Sequence, residues 1–266
     1  MAKLCFVLGA GGARGIAHVG FLQAMDEAGI KPDFIAGCSM GSVVGACYAK
    51  GMKPIEMMEL VRTLKMSDIA DASLFPFNKG GLLRSVKLRK KLEDVIGDAK
   101  FSDLKIPFEC IASDISSGKV VTFKRGSVAD AVRASSSIPG VFKPVEIGKM
   151  VLVDGGAFMP LPLNCVKDFD ADAIIVVDVL GGLQQYDKKG LLYHMLRVVD
   201  ANNYYLKKRH LHAYRHDLLI CPDLGDMSQY KVERLNFAYE QGYLAGVKNV
   251  NKIKKILQKK EQKLLQ

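Results

Sequence analysis

A serine flanked by glycines, Gly37-Cys38-Ser39-Met40-Gly41, directly follows the apolar run Phe34-Ile35-Ala36. A G-x-S-x-G pentapeptide between a strand and a helix makes a sharp turn that lifts the serine hydroxyl clear of the backbone, and the glycines let neighbouring chain pass close by. Such a hydroxyl is suited to attack an acyl carbon. A second glycine-rich turn, Gly9-Ala10-Gly11-Gly12-Ala13-Arg14-Gly15, precedes it in the chain. Several backbone N–H groups can converge there near a helix N-terminus, which makes an anion site. A dinucleotide fingerprint would need glycine where Arg14 stands and an acidic residue at the end of the next strand, where the chain has Cys38-Ser39. The turn is better suited to hold the oxyanion formed when the serine attacks, each donor supplying about 3 kcal/mol.

Serine also needs a base. Five histidines are available, His18, His194, His210, His212 and His216, and a triad in the order serine, acid, histidine can be written with Asp154 or Asp178 in the middle. His210, His212 and His216 stand among Lys and Arg in a helical stretch, as exposed helical residues do, and His18 suits packing or capping of the first helix. Asp154 is the stronger candidate partner for Ser39. It ends the apolar run Met150-Val151-Leu152-Val153 and is followed by Gly155-Gly156, although D-G-G also suits a tight turn.

These residues need elements to hold them. Apolar runs at 4–9 and 33–37 alternate with helical spacing at 15–29 and 40–50, which implies a parallel sheet covered by helices, with its active edge at the carboxyl ends of the strands. Residues 54–100 carry helices rich in Met, Leu and Lys around the apolar loop-like segment 74–83, a candidate lid. A hairpin is expected over 108–113 and 120–123, a helix from Val128 to about Ala134, and extended chain from Val141 to Ile147. Further strands are expected at 150–153, 173–179 and 218–220, and long helices at about 188–216 and 229–263. The expected class is α/β, three layers with a mainly parallel central sheet flanked by helices, in one domain over residues 1–266.

Composition bounds the setting. The 266 residues are 49% hydrophobic and carry a formal net charge of +10, enough for a sizeable core and a preference for anionic partners. Lysines crowd the tail from Lys248 to Lys263 within a helical, basic C-terminal part, 188–266. No aromatic stacking platform accompanies the basic clusters, so no nucleic acid is expected. Scattered cysteines without C-x-x-C pairs, no His/Cys cluster, and no apolar run of membrane-spanning length lead to the expectation of a cytoplasmic protein.

The three motifs in this order, with Ala131-Val132-Arg133-Ala134-Ser135-Ser136-Ser137-Ile138-Pro139-Gly140-Val141-Phe142 and Ala112-Ser113-Asp114 between them, resemble the patatin-like phospholipase family. The likeness covers about residues 4–180 and is strongest to its short bacterial members and the catalytic domain of neuropathy target esterase. It implies a patatin-like fold and a Ser/Asp dyad, Ser39 as nucleophile and Asp154 as base. It also implies an oxyanion hole from Gly11, Gly12 and Ala13, supported by Gly9, Arg14, Gly15, Gly37, Gly41, Gly155 and Gly156. The implied substrate is a lipid acyl ester, split by a phospholipase A or lysophospholipase type of reaction without cofactor or metal. Separately, the positive charge and the apolar segment 74–83 lead to the expectation of peripheral, transient docking on anionic membranes. Ala10 departs from the family's unbroken glycine run. The competing expectation is a non-catalytic scaffold of the same fold, which would have no need to retain Ser39, Asp154 and the glycine turn together.

Overall fold

A computed structural model describes residues 2–63, 85–183 and 190–265. Strands are β1 (Leu4–Leu8), β2 (Phe34–Cys38), β3 (Phe108–Asp114), β4 (Lys119–Phe123), β5 (Val145–Ile147), β6 (Met150–Asp154), β7 (Ala173–Val177) and β8 (Leu218–Ile220). Helices are α1 (Ile16–Glu27), α2 (Met40–Lys50), α3 (Pro54–Thr63), α4 (Val86–Ile96), α5 (Val128–Ser135), α6 (Leu191–Ala213) and α7 (Leu235–Leu264).

All eight strands join one sheet in the order β5-β6-β3-β2-β1-β7-β8, with β4 also on β3. The centre, β3-β2-β1-β7-β8, is parallel, while β4, β5 and β6 add antiparallel pairs. The expected mainly parallel sheet is therefore present. β1 is buried on both faces, and alternate side chains feed different layers. Leu4, Phe6 and Leu8 enter a core built with α1, α2 and α7, whereas Cys5 and Val7 meet Met159, Leu161, Leu163 and the partly buried Leu211 of α6.

Register explains why the carboxyl ends of β2 and β6 meet. β2 runs parallel along β3 from Phe108 to Ile111, where Cys38 pairs with Ile111. β6 runs antiparallel down β3 from Asp114 to Ala112, where it ends at Asp154. The β4 pairing overlaps both stretches and so occupies the other edge of β3. β2 and β6 thus share one edge and approach head to head, bringing the residue after Cys38 to Asp154.

Several expected boundaries differ; the strand expected at 173–179, for one, ends at Val177. Of the stretch 141–147 only Val145–Ile147 is strand. The last helix begins at Leu235, because the Gln229 carbonyl accepts from Ala13 N–H (2.9 Å) and Arg234 takes the left-handed conformation (φ 63°) just before the helix. The lid candidate 74–83 lies outside the described residues.

Candidate active site

Ser39 sits between β2 and α2 with φ 54° and ψ −125°, a conformation unusual for a residue with a side chain. Such backbone strain costs about 1–3 kcal/mol and persists only where surrounding structure enforces it. The enforcement is visible. A Cβ on Gly41 would lie 2.2 Å from the Leu8 carbonyl oxygen, so α2 can start this close to β1 only without a side chain there. Ser39 N–H donates to Ser135 Oγ (3.0 Å), and Ser42 N–H donates to the Ser39 carbonyl (2.8 Å).

Ser39 Oγ donates to Asp154 Oδ2, and the other carboxylate oxygen accepts from Gly156 N–H (2.7 Å). Asp154 N–H donates to the Ser137 carbonyl (2.8 Å), fixing the end of β6 against the chain that follows α5. Both residues are buried, Ser39 4% and Asp154 5% exposed. Burial pushes the Asp154 carboxyl up to about 6, against the opposing hydrogen bonds from Ser39 and Gly156. The pair sits at the amino end of α2, whose dipole favours negative charge on the serine oxygen.

The glycine turn lies beside them. Gly12 has φ 51°, and a Cβ there would strike the Gln229 carbonyl oxygen at 2.2 Å. Ala13 N–H is already donated to that carbonyl. Among the described residues, no turn or loop backbone hydrogen bond uses the N–H of Gly11 or Gly12. Ala10 donates its N–H to the Pro160 carbonyl (2.8 Å), and its methyl lies 3.2 Å from the Cβ position of Gly156, towards the Asp154 turn. At Gly9, Gly15, Gly37 and Gly155 a Cβ would collide with Leu161, Met40, Ser42 and Ile111, so each serves a close approach around the two turns.

The patatin-like phospholipase family model matches residues 6–165, which include both glycine-rich turns, Ser39 and Asp154. This chain belongs to the patatin-like phospholipase family. Among curated relatives, an uncharacterised NTE family protein of Mycobacterium tuberculosis is 37% identical over 179 residues, 67% of this chain and 49% of that protein. Lysophospholipase nte1 of Aspergillus fumigatus is 34% identical over 176 residues, 65% of this chain and 12% of its own length. The chain spans about half the length of the first of these relatives. Among solved structures, VipD from Legionella pneumophila overlays with a TM-score of 0.64 at 13% identity, covering 95% of this chain and 67% of that one, a likeness of fold.

Within this patatin-like frame the other candidates have different tasks. His18 is fully buried and donates from Nε2 to the Gly9 carbonyl (2.8 Å), with burial lowering its pKa to about 4; it tethers the glycine turn. Asp178 is held by Lys207 (2.6 Å) and Leu180 N–H (3.0 Å). Arg14 donates from its outer nitrogens to the carbonyls of Leu180 and Gly225, tying two loops to the glycine turn. Asp114 accepts from Ser116, Ser117 and Val151 N–H, closing the β3–β4 hairpin and binding it to β6; these bonds hold its carboxyl far below the usual range. Sequence reasoning missed Gln229, whose carbonyl holds the glycine turn and which lies in no local motif. Ser135 and Ser137 did carry a signal, being part of the segment that resembles the family.

Proposed function

We propose that this chain is a serine acyl hydrolase of lipid esters, of phospholipase A or lysophospholipase type, in which Ser39 is the nucleophile and Asp154 its base. The observation that carries the reading is the hydrogen bond from Ser39 Oγ to the buried Asp154 carboxylate. As Ser39 attacks the ester carbonyl, its proton passes to Asp154 and the carbonyl oxygen becomes an oxyanion. Gly11 and Gly12 N–H stabilise that oxyanion, while Ala13 shapes the turn, since its own N–H is engaged by Gln229. The protonated Asp154 then gives its proton to the leaving alcohol. Water, deprotonated by Asp154, attacks the acyl-serine; the fatty acid leaves as Asp154 returns the proton to Ser39 Oγ. The names of the relatives, above all lysophospholipase nte1, support a lipid ester as substrate.

Reduced cysteines support a cytoplasmic setting, and the positive net charge supports transient docking on anionic membrane. The test is a panel of diacyl phospholipid, lysophospholipid, neutral glyceride and acyl thioester, with products read by mass spectrometry. Ser39→Ala and Asp154→Asn should each cut turnover by about 10³-fold or more. Folded variants that retain hydrolysis would overturn the assignment.

A further inference from the structure

A small open cavity of about 80 Å³ lies between the glycine turn, α6 and the segment 227–230. That exceeds the roughly 10–15 Å³ a single water needs, so a compact polar group can enter. Arg14, Arg197, Asp200, Asn203, Gln229 and Tyr230 are among the lining residues. The Asp200 carboxylate accepts from both Gln229 Nε2 and Tyr230 Oη at Oδ1. Two other groups lack partners. Asn203 is 6% exposed, and its carboxamide oxygen is buried without a hydrogen-bond partner among the described residues; the same holds for Arg14 Nε. An orphaned buried polar atom costs about 1–3 kcal/mol and is uncommon in native interiors unless a ligand or water uses it.

Position ties this cavity to the site. Asn202, next in the helix, donates from Nδ2 to the Ala157 carbonyl (2.8 Å), seating α6 on the turn after Asp154. Asn203 Nδ2 lies 3.9 Å from the Cβ position of Gly156, the residue whose N–H holds Asp154. Gln229, on the opposite wall, holds Ala13 of the glycine turn. The charge of Asp154 reaches Tyr230: burial first, then Asp200 and Asp154, push that phenol up.

Building on the Ser39 and Asp154 reading, we propose that this cavity takes the polar end of the substrate, a singly anionic glycerophosphate-type headgroup, and that Asn203 is the specificity-determining contact. Two guanidinium groups against one carboxylate leave the lining net positive, which suits a phosphodiester. The carboxamide can donate to a phosphate oxygen and accept from a glycerol hydroxyl. An acyl chain placed there would instead strip water from Arg14, Asp200 and Asn203 without replacing their hydrogen bonds.

The test uses Ser39→Ala protein, which has no nucleophile, titrated calorimetrically with glycerophosphoglycerol, whose only charge is its phosphodiester, and, separately, inorganic phosphate. Glycerophosphoglycerol should bind, more tightly than phosphate, and adding Asn203→Leu or the near-isosteric Asn203→Asp should weaken it at least about tenfold. No binding, equal binding of phosphate, or indifference to both substitutions overturns the proposal. In the active enzyme, Asn203→Asp should lower the ratio of kcat/KM for lysophospholipid to that for an uncharged ester of equal chain length, through KM. An unchanged ratio would mean that Asn203 acts only through the Asp154 turn, against the proposal. Should no ester be hydrolysed, the calorimetry still decides the cavity, and the failure falls on the catalytic reading alone.

Discussion

In the proposed dyad Asp154 is the base, and burial raises the basicity of its carboxylate. With its pKa raised by burial to about 6, kcat/KM should climb as pH rises through about 6 and level off above it, as the charged base becomes the main form. A profile flat from pH 5 to 8 would remove Asp154 from that role. The same shift has a stability consequence. A carboxyl whose folded pKa is raised favours folding while it is protonated, fully below its unfolded value near 4, and that contribution is lost as pH rises through about 6. Asp154→Asn should therefore inactivate the enzyme yet raise Tm at pH 8, with little gain at pH 4. The stabilisation is on the order of 3 kcal/mol at most, since about two pKa units are involved. At this scale the sequence was informative about Ser39 and Asp154, because their flanking glycines record steric demands that no other residue meets. It was silent on Asn203 and Gln229. Their placement beside Gly156 and Ala13 comes from where α6 and the 227–230 segment land in space, and an asparagine inside a helix carries no local mark of that.

Elements bring the two residues together through a topological device, the head-on meeting of β2 and β6 along one edge of β3. Alternating apolar runs made the strands and the parallel centre legible in advance. The antiparallel placement of β6 was not, since register over three residues leaves no periodic signature. The start of α7 was missed for a related reason: residues 229–234 are compatible with helix, and tertiary bonds, from Ala13 to Gln229 and from Gln229 and Tyr230 to Asp200, hold them out of it. α7 itself bears on the site through α1. A Cβ on Gly242 would lie 1.9 Å from the Ala17 carbonyl oxygen, so the two helices pack at a distance that only glycine permits. Gly242→Ala must push them apart at the residue next to His18, the tether of Gly9. It should destabilise by about 1–3 kcal/mol, read as a lower denaturation midpoint. A midpoint equal to that of the unmodified protein would contradict this packing.

On the scale of the whole molecule, the net charge of +10 gains direction from α7. Leu244 and Val247 are exposed there, 56% and 49%, on the same helical face as Lys248 and Lys255. Apolar residues beside lysines suit a helix that rests on an anionic bilayer. Sedimentation with phosphatidylserine vesicles should fall with salt and with Lys248→Glu/Lys255→Glu, and binding indifferent to both would exclude this face. No described helix is long and apolar enough to cross a membrane. The central claim remains the pairing of Ser39 with Asp154, and intact-protein mass after exposure to a fluorophosphonate tests it most directly. One adduct per chain is predicted, absent in Ser39→Ala and strongly slowed in Asp154→Asn. Labelling that persists in folded Ser39→Ala, or no labelling of the unmodified protein, would contradict it.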